Sequence, residues 1–136
     1  MNKRRLIPLA VIVAILAAVA AILAIQHRVA ESNRSVISRT YQIGQDLIAH
    51  ARSPQLSGLP PGLAGQLGNL LNSPTHIAAV LLGDEPPPVG DGSACSRLIL
   101  TNQMAKGLEL RLCPATVPGQ FRVMGYWPVS SNPVPR

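Results

Sequence analysis

The sequence predicts an α+β protein: a single N-terminal transmembrane helix continues into a helical arm, and a small antiparallel β-sheet packed on helix follows. Three observations support this class. Residues 6–25 form an uninterrupted apolar run, residues 26–52 contain no proline, and the last third of the chain alternates between apolar and polar residues. An apolar run of about 20 residues is long enough to cross a bilayer as a helix. Alternation with a period of two is typical of half-buried strands.

The apolar run carries no charge, and a short N-terminus (residues 1–5) with Lys3, Arg4 and Arg5 precedes it. Because basic residues are enriched on the cytoplasmic side of membranes, we expect a single-pass protein of the cell inner membrane. Its N-terminus is expected in the cytoplasm and its C-terminus in the periplasm.

A cleaved signal peptide is the open alternative, since Ala18-Val19-Ala20 matches a cleavage site. The run continues past that site and is longer than the usual signal core of about 7–15 residues. These two features favour a retained signal anchor over a secreted, processed protein.

Alanines recur at every fourth position of the predicted membrane helix, at Ala10, Ala14 and Ala18. Small residues with this spacing allow the backbones of two membrane helices to approach closely. We therefore interpret the three alanines as a helix-packing face. Alanine is also common in membrane helices generally, and this second interpretation stays open.

Residues 26–52 are predicted to form a juxtamembrane amphipathic helix. Apolar residues recur in it at helical spacing, at Val29, Val36, Ile43 and Leu47. This stripe fits either a short coiled coil or a helix that packs on the protein's own globular domain. The sequence leaves both interpretations open.

The remaining chain is predicted to contain a linker at 53–62, a small extracytoplasmic α+β domain at 63–129 and a disordered tail at 130–136. Prolines and glycines interrupt the helical pattern in the linker. Within the domain we predict a short helix, a buried strand, a loop, a hairpin and a further strand, at residues 63–71, 77–82, 83–94, 96–112 and 120–127.

The leucines of the hairpin predict its register. The leucines of both strands lie on the same face of the hairpin when Leu98 pairs with Leu110 and Leu100 pairs with Leu108. The same register sets Cys95 opposite Cys113, at a cross-strand distance that a disulfide accepts. Cysteine pairs in small extracytoplasmic domains are typically oxidised. We therefore predict a Cys95–Cys113 disulfide.

In the last strand, Phe121, Val123 and Gly125 are expected on one face, with Tyr126 on the other. Tyr126 and Trp127 are candidate contacts for a partner protein, because aromatic residues are favoured at interfaces. The alternative for Trp127, which we favour, is that it covers the hydrophobic side of the sheet.

The formal net charge is +6, but residues 3–5 supply three of the twelve basic residues. With only four aromatic residues and no basic stripe, the chain does not fit a nucleic-acid-binding protein. The histidines (His27, His50, His76) lack metal-ligand spacing, and the acidic residues Asp84, Glu85 and Asp91 lack the pattern of a calcium loop. No catalytic motif is present. We expect no enzymatic activity, no metal and no cofactor.

These features predict an accessory or assembly subunit of a membrane or envelope complex that acts by protein–protein interaction. Its partner would be a membrane protein, or a second copy bound through the membrane helix and the arm. The order of elements is similar in outline to the alignment subunits of type II secretion and type IV pilus systems, although no motif is shared. An extracytoplasmic sensory or regulatory domain working with a transmembrane partner is the alternative.

Overall fold

A computed structural model describes residues 3–82 and 95–130 and confirms the α+β class. The elements in chain order are α1 (Lys3–His50), α2 (Pro61–Leu71), β1 (Thr75–Leu82), β2 (Ser96–Asn102), β3 (Lys106–Pro114) and β4 (Phe121–Ser130). The chain divides into two compact units, Met1–Ser35 and Val36–Arg136. The loop predicted at 83–94 and the tail beyond residue 130 lie outside the described residues.

The four strands form one antiparallel sheet in the order β1-β2-β3-β4, so each strand lies beside its neighbour in the sequence. The predicted hairpin register is confirmed: Leu98 pairs with Leu110, and Leu100 pairs with Leu108. The hairpin turn is stabilised by Asn102, whose side-chain oxygen accepts hydrogen bonds from the backbone N–H groups of Met104 and Lys106, both at 3.1 Å.

The core lies on one face of the sheet, which we call the inner face. Leucines of β2 and β3 alternate toward it and are almost fully buried: Leu98, Leu100, Leu108, Leu110 and Leu112. Leu63 and Leu67 of α2 pack in the same cluster. Since burial of one leucine contributes about 1.5–3 kcal/mol, this layer of leucines is the main source of the domain's stability.

The last turns of α1 also belong to this core. Ile43 and Leu47 are fully buried in the same cluster, whereas Val29 is 53% exposed. A buried hydrogen bond of 2.9 Å joins the Thr40 and Ser96 hydroxyls, which stand far apart in the sequence. Ile43 and Leu47 therefore pack on the protein's own domain, as the second of the two interpretations predicts.

Gly44 allows this part of α1 to approach the sheet closely. A Cβ atom at Gly44 would lie 2.7 Å from Cδ1 of Ile77 and 3.0 Å from Cδ1 of Leu98. A Cβ atom at Gly65 of α2 would meet nothing within 4 Å. The two helical glycines therefore differ in what surrounds them.

This difference gives a testable prediction. We expect Gly65→Ala to stabilise the domain by up to about 1 kcal/mol through helix propensity. Gly44→Ala should bring no such gain, and Gly44→Leu should lower the free energy of unfolding by about 2 kcal/mol through overpacking. Urea unfolding of the full chain in detergent would measure all three. Equal effects of alanine at both sites would contradict the close approach.

The segment between the two helices is attached to the domain. Helix α1 ends at His50, and Ala51 (φ 51°) adopts a left-handed conformation that lets its N–H bond to the Leu47 carbonyl at 2.8 Å. Further on, Leu56 is buried and forms a parallel bridge with Phe121 at the start of β4. The residues predicted as a linker thus contribute a side chain to the core.

Strand β4 contains an irregularity that the sequence analysis did not anticipate. Arg111 pairs with Gly125 while Leu112 pairs with Val123, so Met124 is an extra residue in β4. Such a bulge reverses the alternation that follows it. Tyr126 accordingly packs against the core and contacts Gly62 of α2. Its predicted placement on the opposite face from Val123 is wrong.

Candidate interaction surfaces

The first candidate surface is the N-terminal part of α1. Every residue from 6 to 32 is exposed, and the helix is long and apolar enough to cross a membrane. Ala10, Ala14 and Ala18 lie along this part of the helix and are exposed. A helix with so long an apolar surface is rarely left exposed to water. A lipid bilayer or other helices would supply the environment that this segment requires.

The predicted disulfide is confirmed. Cys95 and Cys113 are bonded, with their Cα atoms 4.3 Å apart, and each is 3% exposed. The bond links the residue just before β2 to the end of β3. Because disulfides persist in oxidising compartments and are rare in the cytosol, an oxidised pair suggests an extracytoplasmic domain.

The second candidate surface is the face of the sheet opposite the core, which we call the outer face. Arg97 and Arg111 stand opposite each other on β2 and β3, and Glu109 stands opposite Trp127 on β3 and β4. Arg97 Nε lies 3.7 Å from Glu109 Oε1, and the Arg111 guanidinium carbon lies 5.0 Å from the Trp127 ring centroid. A partly exposed ion pair contributes about 0–1 kcal/mol, and an exposed cation–π contact contributes about 0.5–1 kcal/mol. These contacts orient the side chains of the outer face and add little to stability.

Trp127 is the largest apolar side chain on the outer face and is 44% exposed. Its indole lies over Gly125, where a Cβ atom would come within 2.6 Å of the ring. The favoured prediction that Trp127 covers the hydrophobic side of the sheet is wrong. The bulge at Met124 directs Tyr126 to that side, so Trp127 points to the other face. The structure therefore separates the two aromatic residues that the sequence analysis grouped together.

A shallow groove of about 470 Å³ lies between α2 and the ends of β3 and β4. Leu70, Leu108 and Val129 are among the apolar residues that line it, and Gln66 and Lys106 supply polar groups. A groove of this size and lining suits a small ligand with an apolar body and an anionic or carbonyl group.

The histidines lie at the surface of the described part of the chain. His27 Nδ1 lies 3.8 Å from Glu31 Oε2 on the surface of α1, while His50 and His76 are exposed. Among residues 3–82 and 95–130, no group of three His, Cys, Asp or Glu side chains is placed to hold a metal ion. The acidic residues Asp84, Glu85 and Asp91 lie in the part of the chain that is not described.

No protein-family model, curated protein or solved structure matches this chain. The surfaces described above are therefore the features of the molecule that bear on its function.

Sequence reasoning missed the Arg111–Trp127 contact because it follows from the bulge in β4. The signal that would have suggested it is the pair Met124-Gly125. A glycine inside a strand often marks a bulge or a close approach by another group. Here the Trp127 ring occupies the space beside Gly125 that a side chain would otherwise fill.

Proposed function

We propose that the protein is a single-pass protein of the cell inner membrane whose periplasmic domain acts by binding other proteins, as an accessory or assembly subunit of a membrane or envelope complex. The observation that carries the proposal is the combination, in one chain, of an exposed apolar segment in the N-terminal part of α1 and an oxidised cysteine pair. The helix supports a membrane anchor, and the disulfide supports an extracytoplasmic domain.

The proposed orientation follows from the flanking charges. Lys3, Arg4 and Arg5 precede the apolar segment within a few residues, whereas the three arginines after it, at positions 28, 34 and 39, are more widely spaced. Basic residues close to a membrane helix favour the cytoplasmic side. With the N-terminus in the cytoplasm, the domain that contains Cys95 and Cys113 lies in the oxidising periplasm.

The binding role is supported by the chemistry of the outer face. Trp127 and Arg111 stack on each other at the surface, and Arg97 lies in the neighbouring strand. Tryptophan and arginine are the residue types most enriched among the energetically dominant contacts of protein interfaces. The ion pair and the stacking orient these side chains before binding, which reduces the side-chain entropy lost on association.

The groove beside α2 favours a second candidate function, a sensory or regulatory domain that binds a small ligand and works with a transmembrane partner. Purification in mild detergent distinguishes the two functions. A stoichiometric protein partner supports the assembly role, whereas a lone protein with a small molecule in the groove supports the sensory role.

The proposed topology can be tested directly. We expect the full 136-residue chain to resist alkaline extraction from membranes, because the apolar helix stays in the bilayer. Alkaline phosphatase fused after Ser130 should be active, since it folds only in an oxidising compartment, and the same enzyme fused before Met1 should be inactive. Recovery of a soluble form that begins at Ala21 would show instead that the helix is a cleaved signal peptide.

A further inference from the structure

The outer face of the sheet carries more positive than negative charge. It has one arginine on each of β2, β3 and β4, namely Arg97, Arg111 and Arg122. Glu109 is the one acidic residue of the four strands. Three positive charges against one negative charge give the strand residues of this face a balance of +2.

The three arginines are neighbours on the outer face. Arg97 stands directly opposite Arg111. Arg122 stands opposite Cys113, which is the next residue of β3 on this face after Arg111. The residues on either side of Arg122 in β4 pack in or against the core cluster, so Arg122 itself alternates to the outer face. Because adjacent strands lie about 4.8 Å apart, one short segment that crosses the strands can contact all three arginines.

The pairing of Arg97 with Arg111 is unfavourable by itself. Like charges directly opposite each other on neighbouring strands destabilise a sheet. The Glu109 carboxylate lies 3.7 Å from Arg97 Nε, a distance too long for a hydrogen bond, and the Arg111 guanidinium lies over the Trp127 ring. An added carboxylate between the two guanidinium groups would offset their repulsion. The opposed arginines therefore favour a negatively charged occupant.

The side chains around this pair specify the occupant further. The planar guanidinium group donates two parallel hydrogen bonds to a carboxylate, a geometry that an ammonium group does not offer. Trp127 stands beside Arg111 and is 44% exposed, so its ring offers apolar contact area next to the charged group. The combination fits a chain segment that carries a carboxylate and an apolar side chain close together.

We propose that the segment bound at the outer face is an acidic segment of a partner protein. An Asp or Glu carboxylate of that segment binds between Arg97 and Arg111, and a neighbouring apolar side chain packs on Trp127. Arg122 attracts a further carboxylate of the same segment. This assignment rests on the proposed function, because it names the chemistry of the protein that an assembly subunit with this face would bind.

A protein partner fits this face better than an anionic membrane surface does. Segments that bind anionic lipids commonly carry clusters of about 4–8 Lys and Arg residues. The outer face has fewer basic residues than that, and Glu109 stands between Ile99 and Trp127 of the neighbouring strands. An extended layer of lipid phosphates would repel this carboxylate, whereas a peptide segment can place its charges beside the arginines.

Trp127 is the one tryptophan of the chain, so its fluorescence reports directly on the outer face. We expect the full chain, held in discs of uncharged phosphatidylcholine, to bind an end-blocked peptide of alternating glutamate and leucine with a saturable change in this fluorescence. The matched peptide with glutamine in place of glutamate should bind at least about tenfold more weakly, because it offers no charged acceptor to the arginines.

A pair of variants tests the site itself. Arg97→Gln should weaken binding of the acidic peptide at least about tenfold, because the carboxylate loses one of its two charged donors. Arg39→Gln is the matched control, since Arg39 is exposed on α1, whose Ile43 and Leu47 pack in the core on the inner face. It removes the same charge and should change the affinity by less than about twofold, because salt screens exposed charges that lie away from the site. Both variants should unfold at the urea concentration of the wild type.

Other outcomes would overturn the assignment. Equal affinities for the two peptides, or no saturable change with either, would show that the occupant is not selected by its carboxylates. An equal loss of affinity in Arg97→Gln and Arg39→Gln would show general charge attraction in place of a site. A fluorescence change with vesicles of phosphatidylglycerol, and none with the acidic peptide, would show that a membrane surface is the occupant. None of these results would touch the proposed function, which is tested by the membrane topology and by purification of a stoichiometric partner.

Discussion

The double variant Cys95→Ala/Cys113→Ala is expected to lose about 3 kcal/mol of the domain's free energy of unfolding. The disulfide joins positions 18 residues apart. Closing a loop of about this length lowers the conformational entropy of the unfolded chain and so destabilises the unfolded state by about 3 kcal/mol. The effect is large for a small domain, whose total stability is commonly about 5–15 kcal/mol. Attachment to the membrane should not change, because the disulfide lies in the unit Val36–Arg136 and the apolar segment lies in the other.

Urea unfolding followed by fluorescence of Trp127, the one tryptophan of the chain, measures the effect. The wild-type chain with a reductant present is the matched control and should unfold at the same urea concentration as the double variant. An unfolding midpoint equal to that of the oxidised wild type would show that the disulfide does not stabilise the domain.

Leu47→Ala is expected to lower the free energy of unfolding by about 3 kcal/mol. Leu47 is fully buried in the core cluster, and truncating a buried leucine costs about 2–5 kcal/mol through lost burial and the cavity left behind. The variant tests whether the last part of α1 stabilises the domain or serves to associate two copies.

Ile37→Ala is the control, because Ile37 lies in the same helix and is 40% exposed. We expect it to change stability by less than about 0.5 kcal/mol, as surface substitutions usually do. An unchanged free energy of unfolding for Leu47→Ala would contradict the packing of this part of α1 on the domain.

The hairpin was predictable because two independent patterns agreed. The alternating leucines of β2 and β3 allow a small number of registers, and the positions of Cys95 and Cys113 select one of them. A shift by one residue would have moved each leucine to the outer face. The long apolar run was predictable for a similar reason, since its length and lack of charge leave few alternatives.

The contacts of the arm were harder to predict. Its buried face contains Thr40 and Gly44 as well as apolar residues. The pattern of apolar residues alone therefore underestimates the extent of this face. Thr40 is compatible with burial only because the Ser96 hydroxyl bonds to it, and these residues are 56 positions apart. Local sequence patterns carry no information about such a distant partner.

The outer face was predictable in part. The strand alternation placed Arg97, Glu109 and Arg111 together on one side of the hairpin, and the structure shows them there. The position of Trp127 depends on the extra residue Met124. The alternation of apolar and polar residues along a strand does not show where such a bulge occurs. One inserted residue therefore decides which aromatic side chain is exposed on the outer face.

The burial of Ile43 and Leu47 has a practical consequence for work on the isolated domain. A fragment that begins at residue 53 or 63, where the sequence suggests a boundary, would lack both side chains and expose the leucines that they cover. A fragment that begins at Val36 keeps every buried member of the core cluster and the Thr40–Ser96 hydrogen bond. Expression for crystallography or NMR should therefore start at Val36 or earlier, inside the helix and well before the first proline that follows it.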